Sequence, residues 1–145
     1  MRVLFDTNVV LDLLLEREPY ARDAALLTDA VVRGVLDGYV SAHAVTTVFY
    51  VVRKARASEG AQRPADDAYA AVRLLTSVFR VASVSEAEVL RAVEGRLRDF
   101  EDAVTAESAK GCGSDVLVTR DVSGFEGSEV EALAPRALLS RLAER

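Results

Sequence analysis

The hydrophobic pattern of this chain predicts an α/β fold, a parallel sheet covered by helices on both faces. Three observations predict it. Short runs rich in β-branched residues alternate with longer segments whose apolar residues recur at three- and four-residue spacing. Half of the 145 residues are hydrophobic, enough to bury a sizeable core. No repeat, low-complexity tract or linker interrupts the alternation, so residues 1–145 read as one domain. Strands that alternate with helices pair in parallel through right-handed crossovers.

The elements follow in order along the chain. Arg2-Val-Leu-Phe5 is the first strand, and Asp6 stands where a following helix would take its cap. Pro19 suits a helix start, and that helix is predicted to run to Arg33, before Gly34. Tyr39–Ser41 is the second strand. His43 to Arg56 forms a helix with Val45, Val48, Phe49 and Val52 on one face. Ser58 to Pro64 is a polar break, and the next helix spans Pro64 to Ser77. Arg80–Val84 is the third strand, and Ser85-Glu-Ala-Glu88 is a capping box that opens a helix. A helix from Phe100 to Ala109 closes near Gly111 and Gly113. Asp115–Thr119 is the fourth and most strand-like run, Glu129–Leu133 a weaker fifth, and Pro135 starts a terminal helix.

Composition excludes several classes of protein. The lone Cys112 rules out a disulfide framework and a cysteine-based zinc cluster, and a reducing cytoplasm is the simplest setting. The apolar runs are too short for a membrane span, and the start lacks the pattern of a signal peptide. A net charge of −5 argues against broad binding to duplex DNA. All but two of the 18 basic residues are Arg, which suits phosphate contact, although GC-rich coding accounts for the bias equally well.

Function in such folds collects at the carboxyl ends of the strands, near the point where strand order reverses. Three acidic groups fall there. Asp6 follows the first strand, Asp121 follows the fourth, and Asp99, Glu101 and Asp102 open the helix between the third and fourth. If the first and fourth strands are neighbours, Asp6 and Asp121 project from strand ends about 5 Å apart. Singly, each acid has a structural use: Asp6 as a helix cap, Asp99 and Asp102 at a helix start, Asp121 in a turn. Together they would crowd one sheet edge and raise one another's pKa unless a cation joined them. Oxygen ligands without His or Cys point to Mg²⁺ or Mn²⁺, and such an ion suits phosphodiester hydrolysis. His43, the sole histidine, opens a helix and reads as structural. Cys112 has no partner for a catalytic dyad, and there is no glycine-rich phosphate loop.

The stretch Asp6-Thr-Asn-Val-Val-Leu-Asp-Leu-Leu-Leu-Glu-Arg-Glu-Pro19 resembles the amino-terminal signature of PIN-domain proteins, the ribonuclease fold of VapC-type toxins. Ser41 through Arg53 resembles the helix after their second strand. Asp99-Phe-Glu-Asp-Ala103, Asp115-Val-Leu-Val-Thr-Arg-Asp121 and Phe125 resemble their carboxyl-terminal half. The resemblance covers nearly the whole chain in order. It implies a three-layer α/β/α sandwich around a mostly five-stranded parallel sheet. It also implies an Mg²⁺- or Mn²⁺-dependent endoribonuclease, with Asp6, Asp102 and Asp121 as catalytic metal ligands. Asn8 and Thr119 match polar residues that support the site, and Asp99 an outer carboxylate. The resemblance further implies an RNA substrate, a small antitoxin as partner, and a homodimer.

Two departures stand out. The family usually carries a Glu in the helix after the second strand, where this chain has Thr47. An acid often precedes Phe125, where this chain has Gly124. The first departure supports a second reading, a catalytically weakened PIN-like module that binds RNA or protein. A third reading is a haloacid dehalogenase-like phosphatase with Asp6 as nucleophile, suggested by Asp6-Thr-Asn8-Val-Val.

Overall fold

The structure is a computed structural model that describes residues 1–144. Five parallel strands form one sheet in the order β3-β2-β1-β4-β5. They are β1 (Arg2–Phe5), β2 (Asp37–Ser41), β3 (Arg80–Ala82), β4 (Val116–Val118) and β5 (Glu131–Leu133). The helices are α1 (Thr7–Leu14), α2 (Ala21–Val32), α3 (Ala42–Ser58), α4 (Pro64–Val78), α5 (Glu86–Gly95), α6 (Phe100–Gly111) and α7 (Pro135–Ala143). This is the α/β/α arrangement expected. The chain lays β1, β2 and β3 outward in one direction, then returns to place β4 on the free side of β1. Strand order therefore reverses between β1 and β4, the pair whose ends carry Asp6 and Asp121.

Alternation along β1 assigns its side chains to the two layers. Val3 and Phe5 join Val9, Leu27, Val48, Leu75 and Leu138 in the larger core, which draws on α1–α4 and α7. Leu4 points to the opposite face, where Tyr39, Ala106, Ala109 and Leu117 form a second cluster beneath α6. Small residues let α6 lie close to the sheet, and Ala92, Ala103 and Val104 join α5 to its outer side. Gly38 in β2 is required by packing. A Cβ there would lie 2.7 and 2.8 Å from the two Val31 methyls and 3.0 Å from the Phe79 ring.

Several boundaries differ from the sequence reading. The third, fourth and fifth strands are only three residues each, although Asp115 and Thr119, on either side of β4, still donate to Arg2 O and Leu133 O at 2.9 Å. The helix expected from Pro19 starts at Ala21. The run before it forms a separate helix, α1, so the opening signature is strand, cap and helix. Among the described residues no helix is long and apolar enough to cross a membrane.

Candidate active site

Asp6 leaves β1 in an extended conformation, and its N–H still donates to Val118 of β4 at 2.9 Å. Its side chain is the helix cap considered from sequence, and it is also held from β4. Oδ1 accepts from the Thr7 N–H at 2.8 Å and caps α1. Oδ2 accepts from the Thr119 hydroxyl, also at 2.8 Å. The residue is only 5% exposed, and this burial pushes its pKa above the ordinary carboxylate value against the pull of the two hydrogen bonds.

Thr119 links two of the acids. Fully buried just past β4, its oxygen donates to Asp6 and accepts from the Asp121 N–H at 3.1 Å. Asp121 then caps a short 3₁₀ turn over Val122–Phe125: its Oδ1 accepts from Ser123 Oγ at 2.8 Å and from the Gly124 N–H at 3.2 Å. The third acid arrives on α6. Asp99 is the cap of that helix, its Oδ1 accepting from the Asp102 N–H at 3.0 Å, and this fixes Asp102 in the first turn.

Asp102 and Asp121 meet beside Gly124. A Cβ on that glycine would lie 2.8 Å from Asp102 Oδ2 and 3.0 Å from Asp121 Oδ2. The two oxygens thus face a common space that any side chain at 124 would fill. Partial burial, followed by the charges of Asp6, Asp99, Asp121 and Glu101, raises the Asp102 pKa to about 6.

The remaining expected residues line two adjoining cavities. One, of about 420 Å³, has Asp6, Asn8, Thr47, Asp99, Glu101 and Asp102 in its wall. The other, of about 580 Å³, has Asn8, Tyr20, Arg120, Asp121 and Arg136. Asn8 stands on the rim of both. Thr47 faces the acids but supplies no charge, and its hydroxyl donates back to His43 O at 3.2 Å. Glu101 shares this wall with Asp102 despite its turn around the helix, and its Oε1 lies 4.0 Å from His43 Nε2. His43 is half-buried, with Nε2 3.2 Å from Thr105 Oγ1, and burial lowers its pKa. Cys112 lies on the loop that enters β4, at the opposite end of that strand from Asp121.

The donor set fits a hydrated hard cation rather than an all-protein cage. Among the described residues no three Asp, Glu, His or Cys groups already enclose a metal position. Mg²⁺ does not need such an enclosure, because it keeps several waters and is commonly bound through one or two carboxylates. The Asp102 and Asp121 oxygens that face the space beside Gly124 belong to two such carboxylates.

Sequence reasoning missed the group that braces this edge. Asp12, on α1, is 1% exposed, and its Oδ2 lies 2.8 Å from Arg120 Nε, with Arg17 at 4.0 Å from Oδ1. Arg120 in turn lies over the Tyr20 ring, 4.3 Å from its centroid. The available signal was an acid set inside the apolar run Val-Val-Leu-Asp-Leu-Leu-Leu, since an acid buried there needs a cation. Its partner is remote in sequence, so periodicity alone does not find it.

Comparison with known proteins agrees with this architecture. Residues 2–123 match the PIN domain family, and the chain belongs to that family. Among solved structures it is similar to the Pyrobaculum aerophilum protein PAE2754, with 24% identity, a TM-score of 0.66, and coverage of 100% of this chain and 91% of that one. A toxin–antitoxin complex from Klebsiella pneumoniae gives 22% identity and a TM-score of 0.65, covering 92% and 97% of the two chains. FitAcB from Neisseria gonorrhoeae gives 20% and 0.66, covering 92% and 98%. No curated protein matches the sequence significantly.

Proposed function

We propose that this PIN domain, a single unit over residues 1–145, is an endoribonuclease dependent on Mg²⁺ or Mn²⁺. We further propose that it acts in the cytoplasm as the toxin of a toxin–antitoxin pair. The observation that carries the reading is the meeting of Asp102 and Asp121 beside Gly124, with Asp6 tied in through Thr119, at the reversal of strand order. Asp6, Asp102 and Asp121 would hold the ion. When bound, such an ion supplies a water of lowered pKa and neutralises charge on the phosphoryl oxygens. Thr119 keeps Asp6 and the Asp121 backbone in register, and Asp99 holds Asp102 at the helix start. Asn8 stands at the junction of the two cavities, where a strand crossing the acids must pass. The resemblance to a toxin–antitoxin complex supports a small antitoxin that covers this cleft, and we extend the proposal to a homodimer.

Two other readings compete with this one. A catalytically weakened binding module is favoured by the uncharged Thr47 and by the open donor set. A phosphatase nucleophile at Asp6 is disfavoured, since that chemistry needs a general acid two residues on, where this chain has Asn8.

Cleavage of single-stranded RNA by wild type and by Asp6→Asn, with Mg²⁺ or Mn²⁺, separates these readings. Metal-dependent internal cleavage that falls at least about 100-fold in the variant is expected, the order seen when one electrostatic catalytic group is removed. Metal-independent or undiminished cleavage refutes the metal role. RNA binding without cleavage favours the weakened module, and turnover of a small phosphomonoester with RNA left intact favours the phosphatase.

A further inference from the structure

The larger cavity beside the acids has a construction that metal binding does not explain. Its wall joins an aromatic ring to two arginines. Tyr20 is 45% exposed even though Arg120 covers one side of its ring. Arg120 is held in that position by Asp12, which lies beneath it, so the guanidinium plane is fixed before any ligand arrives. Arg136, in the first turn of α7, is 81% exposed and makes only a long contact of 3.6 Å with Asp23. At about 580 Å³ the cavity lies within the roughly 300–1,000 Å³ typical of small-ligand pockets. Asp121 also borders it, so a nucleotide seated there would have its phosphate next to the acids.

Unstacked bases of single-stranded RNA are recognised by stacking on aromatic rings and on Arg planes. Here Arg120 already lies over Tyr20, and both residues line an open cavity. The smaller cavity has Arg17 in its wall but no aromatic ring on which a base could stack.

We propose that the Tyr20–Arg120 cavity is a nucleobase subsite, which stacks one unpaired base of the RNA next to the scissile phosphate, with Arg136 toward the backbone. The subsite rests on the nuclease reading above and deepens it. Asp12 is a positioning residue that acts through Arg120. Arg120 itself is a poor choice for mutation, because its loss leaves Asp12 buried without its closest partner. Tyr20 is partly exposed at the start of α2 and can be changed without that cost.

The experiment measures binding and cleavage separately, with wild type, Tyr20→Leu and Tyr20→Phe. Binding of a labelled single-stranded RNA of mixed sequence is read by fluorescence anisotropy in EDTA, beside an oligomer of abasic nucleotides. Cleavage of the same RNA is followed with Mg²⁺. Tyr20→Leu is expected to weaken RNA binding about tenfold, within the range for loss of one base stack. Tyr20→Phe should keep wild-type affinity, and wild type and Tyr20→Leu should bind the abasic oligomer equally. If wild type cleaves RNA and Tyr20→Leu binds it unchanged, the subsite is refuted and the nuclease reading stands, leaving the cavity to a protein segment. Equal weakening on the abasic oligomer also refutes base stacking. If wild type neither binds nor cleaves RNA, both readings fall.

Discussion

Replacing Asp102 by Asn should make the protein more stable and at the same time disable it. The Asp102 carboxyl is held at a pKa of about 6 by partial burial and by Asp6, Asp99, Asp121 and Glu101, whereas the ordinary value is 3.8. The folded state therefore holds a proton more tightly than the unfolded chain does. Between about pH 4 and pH 6 the folded protein binds more protons, so its stability falls as pH rises through that window. Above the window the full cost is present. At face value the shift corresponds to about 3 kcal/mol. Solvent screening at a side chain still partly open to water reduces this to about 1 kcal/mol. Asn removes the charge with little change of shape. Its Tm at pH 7.5 should exceed that of wild type by about 3 °C, and the gain should vanish near pH 4.

Thermal unfolding of both proteins across pH 4–8, with and without Mg²⁺, checks this. Added Mg²⁺ should raise the Tm of wild type and have less effect on the variant, because ligand binding stabilises only a site that can hold it. RNA cleavage should be lost in the variant. A Tm difference that does not change with pH would show that repulsion at Asp102 is not the source. An equal response of both proteins to Mg²⁺ would remove Asp102 from the set of ligands.

Two further substitutions test the geometry. Gly124→Ala places a methyl 2.8 Å from Asp102 Oδ2 and 3.0 Å from Asp121 Oδ2, and Asp121 cannot retreat without losing its cap on the Gly124 N–H. Metal affinity by calorimetry should fall about tenfold or more, within the range that a disturbed metal shell produces, with the fold retained by circular dichroism. Gly38→Ala forces a Cβ to within 3.0 Å of Val31 and Phe79, and chemical denaturation should show about 1–3 kcal/mol of lost stability. Metal binding should survive in the refolded protein, since Gly38 enters β2 at the far end from the acids.

The pattern of residues determined the class of fold by itself. Alternating short and long apolar runs require a covered parallel sheet, and that sheet is present with all five strands the pattern marked. The ends of the short strands were less legible, because hydrogen bonding to a neighbour decides where β3, β4 and β5 stop, and local composition does not encode it. Asp6, Asp102 and Asp121 could be named as a group because each falls at a strand end or helix start, positions that sequence marks well. What each side chain does there was decided only by the tertiary structure. The sequence offered helix cap or site ligand as alternatives for Asp6. In the fold its Oδ1 caps α1 while Oδ2 is held by Thr119, so the cap does not exclude the site.

Gly124 changed meaning in the same way. In the sequence it is a missing acid; in the fold it leaves open the space between two carboxylates. Asp12 and Arg120 were the least legible. Burial makes that pair necessary, and burial depends on how α1 packs against the turn after β4. Periodicity governs which face of an element is apolar, and so the sequence alone determined the layers. The convergence of charges from distant elements depends on the crossovers, and only the folded chain decided it.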